Sequence, residues 1–331
     1  METRPTVSAI SNRGYSAQTP RNIEKIHRNY LQPKWNVPKS YVHLNAQVYQ
    51  IPMKEDYFTE SLESYWFAPP VALWRAVELR VAAEEQYEAP LLDLGCGDGL
   101  IAQVLFGTEG QIEAGIDPWI EQLRQAARSG AYRHVELGQG NALPYADGTF
   151  ATVFSNSVLE HIPDLLPVLR QVRRVLAPEG RFIFTVPSDA FRYFLDGYVR
   201  RRYAGDVQAA EAYAAGVDAR LEHHHYYNPA DWRHLLSTVG MEMIKTRYYM
   251  PEKVERLWDQ MNCYYGVGRR LSAWGLLASP RLRFLGYQHF LRRAVVRKLN
   301  LRWRPYYEMD VPPGERGGGL LVVARREERW P

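Results

Sequence analysis

Cysteine is scarce in this sequence: 331 residues contain two, Cys96 and Cys263. Two are too few for a disulfide framework, and they stand at neither a redox-pair nor a zinc-site spacing. A reducing cytoplasm is therefore the default compartment. Long apolar runs are missing as well. No stretch of about 18 uncharged apolar residues occurs, so no spanning helix is expected and any membrane contact would be peripheral. Met1 to Pro20 holds no apolar run of the length of about seven residues that a secretory signal needs. Internal repeats and low-complexity tracts are absent apart from Gly317 to Gly319. With 46% hydrophobic and 24% charged residues, the composition excludes a disordered or collagen-like chain. A globular protein is left, long enough for one core with extensions or for two domains.

Charge is present but unevenly placed. The chain has 41 Lys and Arg against 37 Asp and Glu, a formal net charge of +4. From Arg269 to Tyr307 there are ten basic residues (Arg269, Arg270, Arg281, Arg283, Arg292, Arg293, Arg297, Lys298, Arg302 and Arg304) and no acidic one, which leaves 31 basic against 37 acidic elsewhere. The rest of the protein is mildly acidic at −6, and the basicity belongs to one segment whose partner must be explained.

Proline and hydrophobic periodicity divide the chain. Pro5, Pro20, Pro33, Pro38 and Pro52 leave little room for long regular elements near the N-terminus. Residues 1–56 are an N-terminal extension, with Met1 to about Arg21 mobile. Tyr57 to Glu85 is helix-rich, broken into two pieces by Pro69 and Pro70. After Pro90, short apolar runs alternate with helical patterns, the signature of βαβ units and a parallel sheet. Strands are expected at 90–94, 111–116, 133–138, 151–155, 181–187, 242–249 and 320–324. Helices are expected near 100–105, 120–128, 165–176 and 230–239. Between the last two strands, residues 251–315 form an insertion too long for a hairpin connection and too rich in Trp, Tyr and Leu for disorder.

The strongest local signal is Leu91-Leu92-Asp93-Leu94-Gly95-Cys96-Gly97-Asp98-Gly99-Leu100, a buried strand, a glycine-spaced turn and a helix. Glycines at alternate positions permit positive φ and leave no Cβ between backbone and ligand. The D-x-G-x-G-x-G order differs from the dinucleotide G-x-G-x-x-G fingerprint, which argues against a nicotinamide cofactor. Gly115-Ile116-Asp117-Pro118 then places an acid at the end of the second strand, where it can accept hydrogen bonds from both hydroxyls of a ribose. Asp117 can also serve as a helix cap for the segment beginning at Trp119.

These runs resemble the ordered motifs of class I S-adenosylmethionine (SAM) dependent methyltransferases, in particular the branch that acts on small molecules. Gly140-Asn141-Ala142-Leu143-Pro144 looks like the segment before the fourth strand, with Asn141 where relatives usually carry Asp. Phe154-Ser155-Asn156-Ser157-Val158-Leu159-Glu160-His161 resembles the strand end that borders the methionine moiety. The likeness covers roughly residues 63 to 250 plus the last strand. It implies an α/β fold with a Rossmann-like, seven-stranded, mostly parallel sheet, helices on both faces and an antiparallel last strand. The methyltransferase domain would comprise 57–250 plus 316–328. SAM would be held by Asp93, Gly95, Cys96, Gly97, Asp117, Pro118, Asn141, Ala142, Leu143 and Asn156, and the methyl group would pass to a small, hydrophobic acceptor by in-line displacement.

Candidate general bases are His161, Glu160 and the run His223, His224 and His225, with His161 and His225 taken forward as catalytic candidates. Adjacent histidines point in different directions, so only His223 and His225 could share a face. With no Cys or carboxylate at ligand spacing, no metal site is expected. In the basic segment, helical spacing puts Tyr287, Leu291, Val295 and Leu299 on one side and Arg293 and Arg297 on the other. Such a helix suits peripheral contact with anionic lipid through residues 269–307, or packing on the catalytic domain with its basic face in water. RNA is a third partner class, and an RNA methyltransferase or a non-catalytic SAM-binding regulator are the alternative functions. No RNA-binding module accompanies the basic residues.

Overall fold

A computed structural model of the chain describes residues 48–49, 56–108, 112–265, 273–279 and 286–328. The reading of the N-terminal segment as mobile falls outside the described residues, as do Arg269, Arg270, Arg281 and Arg283.

Seven strands form one sheet: β1 (Leu91–Leu94), β2 (Ile112–Asp117), β3 (Tyr132–Leu137), β4 (Phe150–Asn156), β5 (Leu176–Pro187), β6 (Met241–Tyr249) and β7 (Gly319–Arg326). Their spatial order is β3-β2-β1-β4-β5-β7-β6. Pairings from β3 through β5 are parallel, and β7 runs antiparallel to both β5 and β6. All seven strands lie where alternating apolar runs place them. The helix after the fourth strand ends at Val175, and Pro178 to Gly180 fall within β5, where the register with β4 shifts and Glu179 takes φ 61°.

The twelve helices among the described residues are α1 (Tyr57–Ser64), α2 (Pro69–Ala82), α3 (Leu100–Phe106), α4 (Ile120–Ser129), α5 (Leu165–Val175), α6 (Phe191–Phe194), α7 (Asp196–Tyr203), α8 (Val207–Leu221), α9 (Pro229–Ser237), α10 (Glu252–Tyr265), α11 (Ala273–Leu277) and α12 (Gln288–Tyr307). Asp56 starts α1 by accepting from the N–H groups of Phe58 and Thr59. Pro69 and Pro70 occupy the first turn of α2, where a missing N–H costs nothing. Helices α6 to α8 were not foreseen. The buried face of α8 is Ala210, Ala214 and Val217, too weakly apolar to stand out from an alanine-rich run.

Alternate residues of the central strands feed two cores. Leu92, Val153, Phe182, Phe184 and Val322 pack against α5 and α9, whereas Leu91, Phe154, Ile183 and Val323 pack against helices on the opposite face. That second face is built from α1 to α4 together with α10 and α12, which contribute Val254, Trp258, Leu299 and Trp303. Of the apolar stripe expected on the basic helix, Leu299 and Val295 pack on the domain, while Tyr287 and Leu291 are half-buried. Leu299, Trp303 and Tyr307 are buried, and Tyr307 stacks on Phe58 at 5.2 Å. No helix among the described residues is long and apolar enough to cross a membrane.

Candidate functional site

The direction of strand succession reverses between β1 and β4. An open parallel sheet has its ligand crevice at such a point, outside the carboxyl ends of the strands. The β1-to-α3 turn stands there, with Gly95, Gly97 and Gly99 at φ 80°, 53° and 80°. A Cβ on Gly95 would lie 2.4 Å from Val158 Cγ2, so this glycine permits the turn to pack on the segment following β4. At Gly97 the nearest atom would be Gln122 Oε1 at 3.4 Å, which leaves its position open for a ligand.

Asp117 fixes the turn from the neighbouring strand. Its Oδ2 accepts from Gly97 N–H at 2.9 Å and its Oδ1 from Trp119 N–H at 2.8 Å. Each oxygen keeps a second lone pair, so capping and ribose binding are compatible. Burial pushes its carboxyl up to about 6. Asp93 lies deeper, accepts from the Tyr132 hydroxyl at 2.6 Å and is pushed up by burial to about 7. Gly115 makes that contact feasible, because a Cβ there would meet the Tyr132 ring at 2.9 Å. A glycine inside a strand is the signal by which sequence alone could have marked this close approach.

The remaining expected cofactor residues divide by exposure. Asn141 and Ala142 are exposed, Pro118 is half-buried and Leu143 is buried. Arg174 of α5 holds their loop, donating to the carbonyls of Leu143 at 2.8 Å and Tyr145 at 2.7 Å. Cys96 is buried in the core, and burial holds its thiol well above the usual range. Asn156 is turned inward: its amide nitrogen donates to Glu78 at 3.0 Å and its oxygen accepts from Thr185 at 3.1 Å.

Glu78, which sequence reasoning missed, organises the floor beside β4. Fully buried on α2, it accepts from Trp74 Nε1 at 2.8 Å, Arg75 at 2.6 Å, Asn156 at 3.0 Å, Tyr249 at 3.2 Å and the hydroxyl of Ser157. Its signal was a glutamate amid the apolar run Leu73, Trp74, Ala76, Val77 and Leu79, three residues after Arg75.

Just beyond β4, two segments are stitched together. Glu222, at φ 58°, turns its carbonyl onto His161 Nδ1 at 3.2 Å. His224 N–H donates to the Glu160 carbonyl at 2.8 Å, and His225 Nε2 to the Ile162 carbonyl at 2.7 Å. His223 and His225 therefore do not converge. Instead His223 faces His161, with ring centroids 5.1 Å apart, and Glu160 joins them. Burial pushes the Glu160 carboxyl up to about 8 and the His161 imidazole down to about 4, and holds His223 well below its ordinary range. Both rings are accordingly neutral near pH 7.

Residues 92–184, from β1 into β5, match the family model described as a methyltransferase domain. Over 101 residues the chain is 33% identical to malonyl-[acyl-carrier protein] O-methyltransferase of Pseudescherichia vulneris, covering 30% of this chain and 40% of that protein. It is 35% identical over 118 residues to demethylmenaquinone methyltransferase of Bacillus subtilis (33% and 50% covered). Against arsenite methyltransferase of Aquipseudomonas alcaligenes it is 34% identical over 167 residues (45% and 43% covered). The chain thus spans half or less of the length of these curated relatives. Matched across its glycine turn and its second and fourth strands, and folded in the strand order that opens a crevice at that turn, residues 92–184 carry a methyltransferase-domain pattern similar to that of these relatives.

Proposed function

We propose that this protein transfers a methyl group from SAM to a small, hydrophobic acceptor. The observation that carries the reading is the positive-φ glycine turn tied through Gly97 N–H to Asp117 at the switch point of the sheet. The residues fit the cofactor: Asp117 retains lone pairs for ribose hydroxyls, Gly97 leaves room for close approach, and Asn141 to Leu143 offer an amide and an apolar contact to the adenine. When bound, SAM supplies an activated sulfonium methyl. The chain's task is to hold the acceptor in line and exclude water, and such positioning is worth about 7–11 kcal/mol. Where an acceptor arrives protonated, we assign the proton to His161, whose Nδ1 is spent on Glu222 and whose Nε2 has Glu160 Oε1 at 3.9 Å. His225 has spent its Nε2 on Ile162 and keeps only Nδ1.

Isothermal titration tests the reading. Wild-type protein binds SAM, and Asp117→Ala weakens binding about 30-fold, as expected for losing hydrogen bonds to a charged acceptor. Unchanged affinity in the variant, or no binding to wild type, would overturn it.

A second reading concerns delivery of the acceptor. Phe290 and Leu301 of α12 are 73% and 76% exposed, and Arg293 and Arg297 share their face of the helix. Beside them, Thr59, Glu63, Arg292 and Asn300 line a groove of about 670 Å³. Exposed apolar side chains between guanidinium groups suit a peripheral contact with an anionic bilayer. In flotation assays wild-type protein rises with phosphatidylserine vesicles but not with zwitterionic ones, and Arg292→Glu with Arg293→Glu and Arg297→Glu stays behind. Equal flotation of that triple variant defeats the reading; selective RNA binding with a steep salt slope would transfer the surface to nucleic acid.

A further inference from the structure

We propose that Glu160, His161 and His223 form a binding site for one divalent first-row transition-metal ion. One ligand atom from each lies within 4.8 Å of the other two, and Glu160 Oε1 is 3.9 Å from His161 Nε2. Two imidazoles and one carboxylate are a donor set for zinc, iron, manganese or cobalt ions, whereas magnesium and calcium favour all-oxygen sites.

Three features go beyond proximity. First, the Glu160 side chain is aimed into the cluster, and its Oε2, in a residue only 3% exposed, has no hydrogen-bond partner. A buried carboxylate oxygen without a donor is costly and is repaired by a cation. Second, both tautomers are set. The Glu222 carbonyl can only accept, so His161 carries its proton on Nδ1 and presents Nε2 as a lone pair. Tyr226 donates its own proton to Asp218 at 2.6 Å, and Asp218 is paired with Arg192. The Tyr226 oxygen therefore accepts from His223 Nδ1 at 3.0 Å, which frees Nε2 of that ring as well. A ligating histidine that donates its other N–H to a carbonyl or a carboxylate-backed acceptor has the usual outer support of a metal site. Third, the backbone ties from Glu222 to His161 and from His224 to Glu160 lock the two segments before any ion arrives.

Three protein ligands leave coordination positions open, as in catalytic rather than structural sites. The site shares His161 with the methyl-transfer reading but does not depend on it. If an acceptor hydroxyl filled an open position, the metal would take over from His161 the task of making it ionise.

Titration of the metal-free, tag-free protein with Co²⁺ tests the site. The expected result is one Co²⁺ per chain with a visible ligand-field band, displaced by Zn²⁺ and unaffected by Mg²⁺. His223→Ala and Glu160→Gln each weaken binding about 100-fold or more. Tyr226→Phe, which removes only the acceptor for His223 Nδ1–H, weakens it about tenfold, within the range for outer-sphere partners. Circular dichroism melting checks that each variant folds. Absence of a saturable band in wild-type protein, or wild-type stoichiometry and affinity in folded His223→Ala or Glu160→Gln, overturns the proposal, and neither result bears on SAM binding.

Discussion

Replacing Glu78 by alanine is expected to lower the unfolding free energy by about 4 kcal/mol, the largest effect of any single side chain outside the central apolar core. Five donors converge on this carboxylate, from Trp74, Arg75, Asn156, Ser157 and Tyr249. Removing one partner of a buried ion pair costs about 3–5 kcal/mol, and every other buried donor left unsatisfied adds to that. Two factors hold the figure near the middle of that range. The Arg75 side chain is 25% exposed and can turn to water, and the cavity left behind is polar enough to admit a water molecule. Glu78→Gln should cost less, because the amide oxygen still accepts. Glu84→Ala, which removes a surface pair with Arg247, should cost under about 1 kcal/mol. Urea denaturation of the three variants provides the comparison. Equal losses for Glu78 and Glu84 would show that the buried hub contributes no more than a surface pair. Because Asn156 and Ser157 lie at the end of β4, Glu78→Ala should also weaken SAM binding although Glu78 is not placed against the cofactor.

Gly95→Ala carries the second large effect, and its origin can be separated by a double mutant. An alanine at φ 80° costs about 1–2 kcal/mol from its own backbone conformation. Its Cβ would also stand 2.4 Å and 2.7 Å from the two methyl carbons of Val158, far inside contact distance. Val158 is buried, so the turn and the segment after β4 must separate. A total loss of about 3 kcal/mol in stability and more than tenfold in SAM affinity is expected. Val158→Ala in the same chain removes the two closest contacts, leaving a Cβ at 3.1 Å and the conformational cost. The pair should therefore lose about 1–2 kcal/mol less than the sum of the single variants. Gly97→Ala is the control for the stability measurement alone, since within the protein its Cβ would meet only a flexible glutamine side chain. Additive losses at Gly95 and Val158 would show that the glycine is needed for its φ angle alone.

How much of this could be seen beforehand differs from element to element. The seven strands were legible because each is bounded by turn residues and is apolar or alternating, and the strand–glycine–helix turn was legible because its conformation is dictated by residues adjacent in sequence. Helix α8 was not, since an alanine face gives almost no hydrophobic signal. The basic segment was legible as an amphipathic helix, yet sequence left open whether its apolar stripe met lipid or protein. The structure buries Leu299, Trp303 and Tyr307 against α1 and α2 and leaves Phe290 and Leu301 outside. The positions expected at the cofactor site met different fates. Gly97 leaves room for a ligand and Asp117, itself buried, holds the turn in place, whereas Cys96 packs in the core and the Asn156 side chain is spent on Glu78 and Thr185.

By itself, the sequence determined the fold class and the glycine turn with its acid at the next strand end, because those rest on periodicity and on conformational demands within a few residues. Only the tertiary structure decided which distant side chains share a volume. His161 and His223 look like unrelated histidines along the chain, and Glu78 looks like an ordinary helix residue. Packing α2 and α8 near the end of β4 brings Glu78 within hydrogen-bond reach of Asn156 and Glu160 close to two imidazoles. The physical reason is that a hydrogen bond or a ligand set depends on ångström-scale placement between segments. Local propensity carries no record of that placement until the core has chosen which faces meet.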